Sequence, residues 1–259
     1  MSVKNTARNT ADVFLGSIAA KALGMVRELT IVFLFGASGE LAAYIAIRAI
    51  SDSILVFGGG NALQGSLLPI AARGFQQMGP KYVSVLRSKV SFTGGLIALI
   101  GAIASMLAIE SQQGALGDAN RLFTYSLVVV FGACSYVIVS ASIGLIGLQA
   151  KGEFRDFAKL SALNPAVALL VLYPLSFLGM LGAAVSRVLG VVAQERKSWR
   201  QLKHTSPYTE SPAKIATDPP IINFWGVLAW NAPVILLLVG RVVVGLGAER
   251  DVIYYNYAA

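Results

Sequence analysis

The sequence predicts an all-α integral membrane protein, and three observations carry that expectation. Hydrophobic residues make up 56% of the 259 and charged residues only 13%, where soluble domains carry about a quarter charged; mean hydropathy is +0.68. The apolar residues fall in continuous runs of about the 20 residues that a hydrocarbon core some 30 Å thick requires. Those runs do not alternate as the strands of a membrane barrel would, and a helix satisfies its own backbone hydrogen bonds where there is no water.

Seven spans are expected, near 11–35, 41–73, 90–109, 122–149, 160–177, 179–195 and 221–247. The first two and the last are interrupted by polar residues, and a short turn near Gly179 divides the fifth from the sixth. Ala20-Lys21-Ala22 resembles a signal-peptidase site. The apolar pattern runs on to Phe35, so a retained helix is expected.

Basic residues alternate between the connections. One set holds Lys4 and Arg8, then Arg73, Lys81, Arg87 and Lys89, then Lys151, Arg155 and Lys159, then Arg196, Lys197, Arg200, Lys203 and Lys214. The other set holds only Arg121 and Arg250. Lysine and arginine are retained on the cytoplasmic side, so the N-terminus is expected in the cytoplasm and the C-terminus outside. The net charge of +8 is thus mainly a topology signal. No nucleic-acid partner is expected, because the cations mark span ends and do not form one face. The stretch 196–220, basic and then rich in Pro, Ser and Thr, reads as a cytoplasmic loop that can meet anionic headgroups.

Several chemistries lack their residues. Cys134 is the only cysteine and His204 the only histidine, which leaves no disulfide, no cysteine metal cluster and no nucleophile–histidine arrangement. No G-x-x-x-x-G-K-[ST] loop is present. Neither an enzyme nor a bound cofactor is expected.

The candidate site is the set of charges inside the first two spans: Lys21, Arg27 and Glu28, then Arg48 and Asp52. An ionised group at the bilayer centre costs roughly 2.5–3.5 kcal/mol, so each needs a reason. One reason is a water-filled cavity whose cations receive an anionic substrate. The other is pairing among themselves, which the i, i+4 spacing of Arg48 and Asp52 allows. Arg187 and Arg241 stand singly in later spans. Gly58-Gly59-Gly60-Asn61, followed by Pro69, suggests a bent or broken second helix or close packing through small residues.

The segment Lys21-Ala22-Leu23-Gly24-Met25-Val26-Arg27-Glu28, followed by Phe35-Gly36-Ala37, resembles the first helix and turn of the MviN/MurJ lipid II flippases. That family belongs to the multidrug/oligosaccharidyl-lipid/polysaccharide exporter superfamily. Asn61 to Pro69 with Ala71-Ala72, Leu148 to Phe154 with Asn164-Pro165, and Tyr254 to Ala258 are similar to later landmarks of the family. The resemblance implies about seven helices, residues 1–259, forming the N-terminal lobe of a two-lobe flippase, with the C-terminal lobe absent. It places Arg27 on a family arginine, Lys21 where another would stand, and Glu28 in place of an aspartate. Ala42 and Leu55 occupy positions of a family aspartate and arginine, which leaves a lipid-linked glycan other than lipid II open.

The implied activity is transport of an undecaprenyl-linked cell-envelope precursor in the bacterial plasma membrane, with the cations on its pyrophosphate. The implied partners are membrane lipid, the anionic lipid-linked glycan, and a second lobe or second copy. Two alternatives stand beside it: a related drug or metabolite exporter, and a non-transporting remnant or partner subunit.

Overall fold

A computed structural model of the chain describes residues 3–36, 38–58, 68, 71–75, 80–111 and 120–203. These residues are almost entirely helical, and no strand occurs among them. Six long helices follow in order: α1 Val3–Phe35, α2 Gly39–Gly58, α3 Pro80–Ser111, α4 Arg121–Lys151, α5 Phe154–Leu175 and α6 Met180–Lys203. Two of these segments, α4 and α5 with the 3-10 turn Ser176–Leu178 after it, are long and apolar enough to cross a membrane.

Local chemistry sets the ends. Gly36 takes a left-handed φ of 64° and closes α1 by donating its N–H to Val32 O at 2.8 Å. Ser38 then caps α2, its hydroxyl accepting from the Leu41 N–H at 3.2 Å. Asn120 caps α4 in the same way through Leu122, at 3.0 Å. Gly152, φ 84°, ends α4 with its N–H on Gln149 O while Glu153 N–H bonds Leu148 O, a paired arrangement that answers the last carbonyls.

Six of the seven expected spans fall wholly or partly on these helices, of which two have the length and apolarity of a membrane span. The second helix is described from Gly39 to Gly58; residues 59–67, which hold the rest of the glycine run where a bend, a break or close packing is expected, lie outside the described set. The stretch that reads as a loop from 196 onward is still helix through Lys203. The seventh expected span, 221–247, and Arg241 within it lie outside the described residues.

α1 packs along α5, α5 along α6, α6 along α4, and α4 along α3; α2 rests on α3 and α4 and touches α6. Glycines allow two of these contacts to be close. A Cβ on Gly16 of α1 would lie 2.5 Å from Ala158 Cβ on α5, and one on Gly190 of α6 would lie 2.5 Å from Asn164 O. Gly16 rests on Ala158 while Lys21 shares a groove with Asn164 and Pro165, so α1 and α5 run in the same direction. By contrast, α1 and α2, joined through residues 36–38, have few close backbone approaches along their length.

Two large apolar clusters, and a small one of Cys134, Ala141 and Val191, fill the bundle. One gathers Ile31, Leu41, Tyr44, Leu127, Phe131, Leu172 and Met180 with their neighbours; the other gathers Ile97, Val139, Ile143, Ile146, Leu148, Leu160 and Leu202. Arg48 and Asp52 on α2 fall in sequence between Ile47 of the first cluster and Ile54, which packs on the second.

Candidate functional site: a chain of ion pairs between three helices

Three guanidinium groups and two carboxylates alternate in a continuous chain across α1, α2 and α6. Arg27, 4% exposed, donates from Nη1 to Glu28 Oε1 at 2.8 Å. Its Nη2 donates to Ala183 O at 2.8 Å and to the Tyr44 hydroxyl at 3.2 Å. The other Glu28 oxygen pairs with Arg48. Arg48 Nε reaches Asp52 Oδ2 at 3.4 Å, one turn further along α2. Asp52 in turn accepts two bonds from Arg187 of α6, from Nη1 at 3.1 Å and from Nη2 on its other oxygen. The Arg187 guanidinium also lies over the Phe131 ring, 5.6 Å from its centroid, and that ring packs on Tyr44 at 5.4 Å.

Burial is graded along the chain. The side chain of Arg27 is 5% exposed, that of Arg187 17%, and those of Glu28, Arg48 and Asp52 between 22% and 34%. One end is therefore locked into protein while the middle is open on one side. Three positive and two negative groups leave one positive charge in excess, so the open stretch can take up one further anionic group. Arginine suits that role because its planar fork binds carboxylate and phosphate oxygens two at a time.

Of the sequence-predicted residues, the structure brings Arg27, Glu28, Arg48 and Asp52 together. Lys21 stands apart. It is exposed and lines an open groove of about 510 Å³ between α1 and α5, with Ser17, Gln149, Ser161 and Asn164. It shares a face of α1 with Glu28, two turns away and about 10 Å along the axis.

Sequence reasoning names Arg187 as a lone charge in an apolar span but leaves it out of the candidate site, and it leaves out Tyr44 and Phe131 altogether. Arg187 carried a signal, since a lone arginine in an apolar span requires a partner. Tyr44 and Phe131 carried none, as aromatic residues in apolar helices are ordinary core. Among the described residues no group of three or more His, Cys, Asp or Glu side chains could hold a metal ion. Cys134, the single cysteine, is buried. No family model, curated protein or solved structure matches the chain.

Proposed function

We propose that the chain is a membrane-embedded transporter lobe that receives a lipid-linked anion, of the kind represented by an undecaprenyl-pyrophosphate glycan. The observation that carries this reading is the partly open ion-pair chain with its single surplus positive charge. Apolar side chains turned outward support a lipid-facing exterior: Phe33 is 90% exposed, Phe177 79%, Leu122 76% and Leu170 75%. Surfaces of this kind are rare on water-soluble monomers. The sequence resemblance to the lipid II flippases supports the substrate class, and the basic connections support an orientation with the N-terminus in the cytoplasm.

In this reading Arg48 and Arg187 are the substrate-facing cations, and Arg27 fixes the geometry behind them. A pyrophosphate enters by competing with Asp52 and Glu28 for these two partly exposed guanidiniums. A second reading draws on the pairing of both carboxylates: the chain of charges holds the bundle together in a non-transporting partner subunit.

One experiment separates the two. Binding of a prenyl-pyrophosphate glycan to the full chain in neutral nanodiscs is measured by native mass spectrometry. Loss of a charge-assisted hydrogen bond is worth about 1.5–3 kcal/mol, so Arg48→Gln and Arg187→Gln should each weaken binding by roughly tenfold or more. Unchanged binding in both variants, or no binding by the wild type, would sink the transport reading.

A further inference from the structure

We infer that the basic end of α6 is a seat for the headgroup of an acidic phospholipid. The inference rests on the proposal that the chain lies in a bilayer, and it concerns a place remote from the ion-pair chain.

Three arginines from two helices surround one hollow there. Arg196 and Arg200, one turn apart on α6, and Arg87 of α3 line a concavity of about 280 Å³ together with Trp199 and Glu195. Arg87 is held in place twice over. Its Nη2 bonds Glu195 Oε1 at 2.5 Å, and its guanidinium lies over the Trp199 ring, 4.6 Å from the centroid. The Ser140 hydroxyl of α4 donates to the same Glu195 oxygen at 2.6 Å. Glu195 is thus already answered by Arg87 and Ser140. Arg196 and Arg200 are both exposed and have no ion pair or hydrogen bond among the described residues. The same two arginines also border a second hollow of about 410 Å³ on the α5 side.

Cations in the last turns of a helix favour its negative end, and that accounts for Arg196 and Arg200 as isolated residues. It does not account for Arg87, which belongs to a different helix and is stacked and bonded at the wall of the same hollow. A hollow built this way selects phosphate oxygens. A tryptophan ring in its wall suits the headgroup layer, where one side of a site is apolar and the other wet. Basic pockets at the cytoplasmic ends of membrane helices are where acidic headgroups are held, and Lys151, Arg155 and Lys159 collect at this same end.

The test uses the full chain and mixed nanodiscs of phosphatidylcholine and phosphatidylglycerol, with lipids that stay bound counted by native mass spectrometry. The wild type should retain phosphatidylglycerol in preference. The double variant R196Q/R200Q, altered only at exposed positions, should keep the wild-type melting temperature and lose that retention about tenfold, the scale expected for lost charge-assisted bonds. The double variant R155Q/K159Q removes the same charge from the same end outside the hollow and should retain the lipid. Equal losses in the two variants would mean diffuse attraction and overturn the site. So would binding of inorganic phosphate in detergent that depends on Arg196 and Arg200 without any preference for phosphatidylglycerol over phosphatidylcholine. Flotation with phosphatidylcholine vesicles separates the two levels: a chain that does not float takes the membrane reading down as well, whereas one that floats without preference overturns this inference alone.

Discussion

Arg27 and Arg48 lie in the same run of charges, yet their removal should have opposite readouts. Arg27 is buried and anchors α1 to the Ala183 carbonyl of α6 and the Tyr44 hydroxyl of α2. Arg27→Ala leaves those oxygens without their donor at about 1–3 kcal/mol each, so abundance and melting temperature should fall. Arg48, with its side chain 28% exposed, can be rehydrated. Arg48→Gln should melt within a few degrees of the wild type and lose ligand binding, as measured by thermal melting beside the nanodisc assay. For Arg187 and Asp52, a double-mutant cycle with Arg187→Gln and Asp52→Asn should return a coupling of roughly 1–3 kcal/mol; additivity would show that the pair does not act as a unit. The Arg48–Asp52 relation was readable because four residues make one helical turn. The Arg187–Asp52 pair was not, since nothing in a single sequence says which helix faces which. Lys21 shows the same limit in reverse: its charge was visible, but the rotation that turns it toward the α1–α5 groove was not.

At the level of elements, the contact between α1 and α5 depends on a missing side chain. A methyl on Gly16 would sit 2.5 Å from Ala158 Cβ and 2.7 Å from its Cα, and backbone cannot step aside as a flexible side chain can. Gly16→Ala should therefore destabilise the fold by about 1–3 kcal/mol. Adding Ala158→Gly should restore only part of that in the melting temperature, because the Ala158 Cα and carbonyl oxygen remain in the way. The expected span bounds at 41, 122 and 149 fall within two residues of the helix bounds Gly39, Arg121 and Lys151, although the capping by Ser38, Asn120 and Gly152 was not read from the sequence. The end of α6 was misplaced because a cluster of charges was taken to mark the start of a loop. Gln194, Glu195, Arg196, Lys197, Gln201 and Leu202 are all good helix formers, and charge alone does not stop a helix.

At the scale of the whole molecule, composition and run length were enough to give the helical make-up of the described residues, whereas the order of packing around the bundle was not written in any local pattern. Sidedness can be tested without altering the core. The buried Cys134 makes the wild type a natural blank for membrane-impermeant thiol reagents. Arg121→Cys should label from outside intact cells, and Lys159→Cys only after the membrane is opened; labelling of Lys159→Cys from outside would overturn the seven-span orientation. The two borders of α1 also differ in kind. Toward α5 it is held by close van der Waals contact at Gly16, which is indifferent to the surrounding medium. Toward α2 it is held both by the apolar cluster that Ile31 shares with Leu41 and Tyr44 and by Arg27, Tyr44, Glu28 and Arg48, and the charged attractions weaken steeply as the local dielectric rises. Wetting therefore acts more on the α2 border, where charge is part of the hold, than on the α5 border. Dry, α1 is fastened on both sides; with water admitted, the charged part of its hold on α2 loosens first, while the seam with α5 stays closed.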